Sequence, residues 1–275
     1  MTPFICPVCG KPLNAAGGAL RCENGHSHDV ARSGYVNLLM SNAEGGKRHG
    51  DDRLMVTARQ RFLSKGYYQP FLDAIFRLTE GELSTGSLIL DAGCGDCWYS
   101  AGLLAHLDGA GVCAECVGVD ISKDALKIAA KRDERISLAV ASVFKLPVVT
   151  RSYDLILSAF SPLASEEFAR VVRKNGLLMR LVPLEEHLLG LKKAVYQRPY
   201  LNPPVAEKPE GFTFLRGEDV RFELTLDSRE DIADLFAMTP YYYKTSADDQ
   251  SKLLALDSLT TEAAVSVRLY RYAGK

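Results

Sequence analysis

The chain has 275 residues, 47% hydrophobic and 24% charged, which excludes a largely disordered chain and suits one main domain with a small appendage. Its formal net charge of −1 excludes a uniformly basic nucleic-acid binder. Charge is unevenly spread, however: residues 1–65 hold nine Lys/Arg against five Asp/Glu, so the front is +4 and the remainder −5, and a polyanionic partner is expected to meet the N-terminal part.

In chain order, residues 4–38 read as a small ribbon of short strands and turns with little apolar bulk, followed by a polar, Gly-rich linker over 41–50. Asp51 or Asp52 can cap a helix with Leu54, Ala58, Phe62 and Leu63 at helical spacing, and Gly66 stops it. A second helix is expected over Gln69–Glu80. From Ser87 strands and helices alternate. Strands are predicted at Ser87–Asp91, Cys116–Asp120, Ile136–Ala141, Tyr153–Ala159, Leu177–Pro183, Arg221–Leu226 and Ala264–Tyr270. Helices are predicted at Trp98–Leu107, Lys123–Arg132, Glu166–Arg173, Glu185–Tyr196 and Arg229–Met238. Pro199–Gly217, with four prolines, reads as an irregular excursion. This β-α-β succession predicts an α/β fold with a mostly parallel sheet covered on both faces. No uncharged apolar run approaches the ~18 residues of a membrane-spanning helix, and Met1–Cys6 lacks a basic stretch followed by an apolar core. The expectation is no membrane and a cytosolic (cytoplasmic) protein whose seven cysteines are thiols or metal ligands.

Cys6-Pro-Val-Cys9 and Cys22-Glu-Asn-Gly-His26 form a C-x2-C-x12-C-x3-H pattern. Two chelating pairs separated by a loop suit one tetrahedral zinc per chain, and a unit this poor in core needs such a staple. Four protein ligands close the site, so the zinc is structural; His28 is the alternative fourth ligand. Cys94/Cys97 and Cys113/Cys116 also have zinc-like spacing. They stand at opposite ends of neighbouring parallel strands, about 15 Å apart across a helix of ~10 residues, so they are not expected to share a metal.

Leu88-Ile-Leu-Asp-Ala-Gly-Cys-Gly-Asp96 is a buried strand running into a glycine loop. Gly93 and Gly95 allow a sharp turn and close approach of a ligand. Trp98 stands where a dinucleotide fingerprint needs its third glycine, and Asp91 is unsuited to a pyrophosphate. Asp120, ending the next strand, can accept from both hydroxyls of a ribose. A ribose, no phosphate and a cationic amino-acid tail together describe S-adenosylmethionine. Ser142, after the third strand, would lie beside the adenine or be a plain strand end.

A C-x2-C-x12-C-x3-H unit ahead of an Asp91-x-Gly-Cys-Gly core resembles the bacterial 23S rRNA (guanine-N1)-methyltransferases. The likeness spans nearly the whole chain, through Gly34-Tyr-Val-Asn-Leu38, Ala58-Arg-x-x-Phe62, Gly66-x-Tyr68, Phe160-Ser-Pro162, Pro183-x-x-x-His187 and Met238-Thr-Pro240. The resemblance implies a zinc ribbon over residues 1–40, a linker with helices over 41–82, and a class I methyltransferase (Rossmann-like) domain over 83–275 with a seven-stranded, mostly parallel sheet. It implies zinc on Cys6, Cys9, Cys22 and His26, and cofactor contacts at Tyr68, Gly95, Asp96 and His187 beside those read above. It implies 23S ribosomal RNA as partner, with a guanine of a hairpin as target. A homodimer is compatible with it. Phe160-Ser-Pro162 and Glu186-His187 look closest to the tylosin-resistance type. Asp96-Cys97-Trp98 departs from the family's usual Glu-Gly before an aromatic.

Read without that likeness, His187 is equally a surface histidine, Tyr68 ordinary packing, and Arg59 and Arg61 a solvated helix face. In the segment after the fourth strand, Phe160 could stack on a guanine while Ser158 or Ser161 meets its Watson–Crick edge. Lys47, Arg48 and Arg53 would hold RNA phosphates, with Arg170, Arg173 and Lys174 as the alternative footprint. The proton acceptor for N1 is not legible. Two other classes compete: a small-molecule methyltransferase with a zinc ornament, and a non-catalytic RNA-binding adaptor. Intact Asp91, Gly93, Gly95 and Asp120 weigh against the adaptor.

Overall fold

The computed structural model describes residues 2–40, 50–206 and 208–274; Lys47 and Arg48 lie outside them. The ribbon folds as an antiparallel sheet of β1 (Asn14–Ala16), β2 (Ala19–Arg21) and β3 (Ser27–Asp29). Then come β4 (Val36–Asn37), α1 (Arg53–Ser64) and α2 (Gln69–Thr79). Asp52 caps α1 by accepting the Met55 N–H at 3.0 Å, and Pro70 opens the first turn of α2, where a missing N–H costs nothing.

The main unit runs β5 (Leu88–Ala92), α3 (Trp98–Gly109), β6 (Glu115–Asp120), α4 (Lys123–Ala129), β7 (Ile136–Val140), β8 (Tyr153–Ala159), α5 (Ser165–Val171), β9 (Val172–Pro183), α6 (Leu189–Val195), β10 (Phe212–Leu226), α7 (Arg229–Ala237), α8 (Ala247–Leu254) and β11 (Leu259–Tyr272). A short 3-10 turn, Tyr242–Lys244, precedes α8. The sheet order is β10-β11-β9-β8-β5-β6-β7-β4. Pairs from β9 to β4 are parallel, while β11 is antiparallel to both β9 and β10. One apolar layer lies between the sheet and α1, α2, α3 and α7, and a second lies on the opposite face under α5 and the ribbon.

The sheet has eight strands among the described residues, where seven were expected. The extra one is β4, whose Val36 and Asn37 pair with Ala139 and Val140 of β7. Two residues carry no readable periodicity, so only the fold reveals them. Strand β10 begins at Phe212, inside the stretch read as irregular. Its charged residues (Arg216, Glu218, Asp219, Arg221 and Glu223) lie on a sheet edge, where one side faces water and no apolar run is required. Strand β9 starts at Val172, directly on the end of α5, and α6 starts at Leu189 because Leu188 is left-handed with φ 58°. No described helix is long and apolar enough to cross a membrane.

Candidate active site

In the ribbon, the ligand atoms of Cys6, Cys9, Cys22 and His26 all lie within 4.8 Å of one another. The Cys9–Cys22 sulfurs are 3.7 Å apart, and His26 Nδ1 is 3.6 Å from Cys6 Sγ and 3.4 Å from Cys22 Sγ. A tetrahedron with Zn–S arms of about 2.3 Å has edges of about 3.8 Å, so this donor set fits zinc as it stands. The Lys11 backbone N–H pulls the Cys9 thiol down to about 6, which favours the thiolate a metal needs. His28 Nε2 stands 3.6 Å from Cys6 Sγ alone, as a neighbour of the ligand set. Among the described residues no other cluster has metal-ligand geometry; Cys94, Cys97 and Cys116 are buried and Cys113 is exposed.

At the carboxyl ends of β5, β6 and β8 opens a cavity of about 900 Å³. Tyr68, Asp91, Gly93, Gly95, Asp96, Asp120, Ser142 and His187 all line it, which brings together the residues read from strand ends and those implied by resemblance. Gly93 has φ +82°, and a Cβ there would stand 2.2 Å from Ser161 Oγ, so only glycine lets β5 turn under the Phe160–Pro162 segment. Asp120 Oδ2 accepts the Gly95 N–H at 2.9 Å, and Oδ1 accepts the Ser122 N–H at 2.7 Å. Each oxygen keeps a lone pair for a ribose hydroxyl. Burial pushes the Asp120 carboxyl up, against those two bonds. Asp91, 2% exposed, is pushed up to about 7, mainly by burial, with the Ser100 hydroxyl opposing.

Asp96 lines the cavity, but its carboxylate is engaged by the Arg132 guanidinium, whose Nε also donates to the Asp96 carbonyl at 3.1 Å. That ion pair ties the glycine loop to the turn that follows α4. His187 is buried; its Nδ1 accepts the Ala264 N–H at 3.1 Å, so the proton of the neutral ring sits on Nε2, 3.4 Å from the Tyr68 hydroxyl. Burial, with Lys192 nearby, holds this ring down to about 3. Phe160, 41% exposed and left-handed at φ 54°, stacks near Tyr68, with ring centroids 6.3 Å apart at 23°. Arg180 Nη1 donates to Ser158 Oγ at 2.5 Å and to the Ser161 carbonyl at 2.9 Å, which fixes this segment.

The wall residue Tyr99 escaped the sequence. Its Oη and the Oγ of Ser161, which was read as a candidate for the base edge, are buried hydroxyls without a hydrogen-bond partner, and both residues face the cavity, a polar lining that suits a ligand with donors and acceptors. Arg59, an open alternative as a solvated face, pairs with Asp51 and donates to the Met238 carbonyl at 3.1 Å; Arg61 pairs with Asp234. Of the alternative basic cluster, Arg170 is bound by Glu167 and by the carbonyls of Leu146 and Val148, and Arg173 by Asp154.

Comparison with known proteins places these features in context. A zinc-ribbon profile described as "RlmA, N-terminal" matches residues 4–44, and a methyltransferase-domain profile matches 89–176. The 23S rRNA (guanine(748)-N(1))-methyltransferase of Streptomyces fradiae is 32% identical over 91% of this chain and 89% of its own length. YxjB of Bacillus subtilis (strain 168), provisionally named a 23S rRNA (guanine-N(1)-)-methyltransferase, is 32% identical over 96% of this chain and 95% of its own. The crystal structure of YcgJ from Bacillus subtilis shares the fold, with TM-score 0.51 at 14% identity, over 74% of this chain and 98% of that one.

Proposed function

Because the chain belongs to the family of 23S rRNA (guanine-N1)-methyltransferases, we propose that its 900 Å³ cavity takes S-adenosylmethionine and an extruded guanine side by side. The activity is S-adenosylmethionine-dependent methylation of guanine N1 in 23S rRNA, on a class I methyltransferase core with a structural zinc ribbon. The observation that carries the arrangement is the convergence of Asp91, Gly93, Gly95 and Asp120 on one cavity whose wall also includes Phe160, Ser161 and Pro162.

S-adenosylmethionine supplies an electrophilic methyl group, so the chain's task is mainly to place the nucleophile in line with it. Asp120 accepts from the ribose hydroxyls and Ser142 borders the adenine. Asp91 meets the cationic end of the amino-acid tail. Tyr68, with its hydroxyl oriented by the His187 Nε2–H, closes the same end, and Asp96 holds the loop through Arg132. Phe160 offers a face on which guanine stacks, and Ser158 and Ser161 stand next to it under Arg180. A guanine in a duplex hides N1, so the target is unpaired or flipped. The basic front holds RNA phosphates, which supply affinity without sequence. A ribosomal RNA substrate makes this a cytoplasmic protein. A second copy of the chain is the other partner admitted, and light scattering reads it.

The test offers radiolabelled cofactor with transcribed 23S rRNA fragments in one arm and a metabolite extract in the other. Label in RNA that digests to 1-methylguanosine is the expected result; label only in small molecules would replace this reading with a metabolite methyltransferase.

A further inference from the structure

The ribbon braces one wall of the cavity from behind without lining it. The segment Ala141–Phe144 lines the cavity, and both of its flanks are held by ribbon residues. Before it, Val36 and Asn37 pair with Ala139 and Val140, and the Leu38 N–H donates to the Val140 carbonyl at 2.9 Å. After it, the Ile5 N–H donates to the Pro147 carbonyl at 2.9 Å, and Phe4 bridges Val148. Within the segment, Ser142 closes a turn, its Oγ accepting the Phe144 N–H at 3.2 Å and its carbonyl the Lys145 N–H at 3.1 Å. Helix α5 contributes Glu167, which accepts the Leu146 N–H at 2.6 Å.

Phe4 and Ile5 directly precede Cys6, a metal ligand. Phe4, Cys6, Cys22, Ala141, Leu146 and Val148 share one buried apolar cluster. Cys6 stands outside the three short strands, and a ribbon this small is expected to need its metal to fix Cys6 and, with it, the neighbouring Phe4 and Ile5. We infer that Phe4 and Ile5 are positioning residues for the adenine wall at Ser142, so that zinc and S-adenosylmethionine bind cooperatively although they share no ligand. The inference rests on the cofactor reading above, which puts adenine against Ser142.

Thermodynamic linkage makes the coupling reciprocal. The full-length protein is titrated with a competing zinc chelator at equilibrium, with and without saturating S-adenosylhomocysteine. Zinc affinity is expected to rise about fivefold, the low end of ordinary couplings between linked sites. Phe4→Ala, with zinc content checked by metal analysis, is expected to keep one zinc and to weaken S-adenosylhomocysteine and adenosine by the same factor. A merely loosened fold would not confine the loss to the adenosine part. Zinc affinity indifferent to bound S-adenosylhomocysteine, or a zinc-loaded Phe4→Ala protein with unchanged affinity for it, overturns the coupling. Asp120→Ala separates the two levels: if it too leaves that affinity unchanged, the cofactor reading fails and the coupling falls with it.

Discussion

With Asp91 as the proposed partner of the cationic tail, cofactor affinity is expected to depend on pH in a window unusual for a carboxylate. Asp91 is the next-to-last residue of β5, between β6 and β8, opposite Gly118 and Leu157, with Asp96 and Asp120 adding negative charge nearby. Burial pushes it up to about 7, so in the empty protein it is largely protonated at pH 6 and largely ionised at pH 8. The sign follows from linkage. A carboxyl raised in the folded state costs stability as pH climbs from about 4 to about 7, and the cost is complete above that. A cationic tail reverses the preference, because it binds the ionised form and expels the proton. With a carboxyl near 7, affinity at pH 6 is about tenfold below that at pH 8, or about 1.4 kcal/mol. Calorimetry with S-adenosylhomocysteine at pH 6, 7 and 8, each in two buffers of different ionisation enthalpy, reads both affinity and protons. Close to one proton released at pH 6 and almost none at pH 8 is expected, and Asp91→Asn should bind weakly with no slope. A flat affinity and no proton exchange in the unmutated protein would refute the pairing of Asp91 with a cation.

Gly93→Ala is expected to cost about 1–3 kcal/mol of backbone strain and to push Ser161 into the cavity; a lowered melting temperature and undetectable S-adenosylhomocysteine binding check it. Arg132→Ala leaves the Asp96 carboxylate, 3% exposed, without its guanidinium, a loss of about 3–5 kcal/mol measurable by denaturant unfolding. Stability within error of the unmutated protein would show that Asp96 finds water or another partner.

The sequence shows most where one element suffices to define a feature. The zinc ligands lie in two tight turns, and their spacing alone brings four donors within 4.8 Å. Asp91, Gly93, Gly95 and Asp120 follow from strand-end logic, since parallel strands deliver their carboxyl ends to one crevice. What stays hidden depends on segments distant in the chain. Strand β4 is two residues long and exists because β7 offers an edge. Arg132, which holds Asp96, is 36 residues away from it. Tyr99 is an ordinary residue until the burial of its unpartnered hydroxyl singles it out.

His187 shows how far resemblance reaches and where only geometry decides. Likeness to the family pointed to it as a cofactor contact, and the fold sets it in the cavity wall, 3.4 Å from Tyr68, 119 residues away in the chain. In a cavity proposed to take a guanine whose N1 must lose a proton, a histidine invites the role of general base. The Ala264 N–H denies it, for a backbone amide can only donate, so it occupies the Nδ1 lone pair and leaves the proton on Nε2. A second proton is opposed by burial and by the neighbouring Lys192, which hold the ring down to about 3. His187 therefore faces Tyr68 as a donor at physiological pH and is not expected to take the N1 proton of guanine.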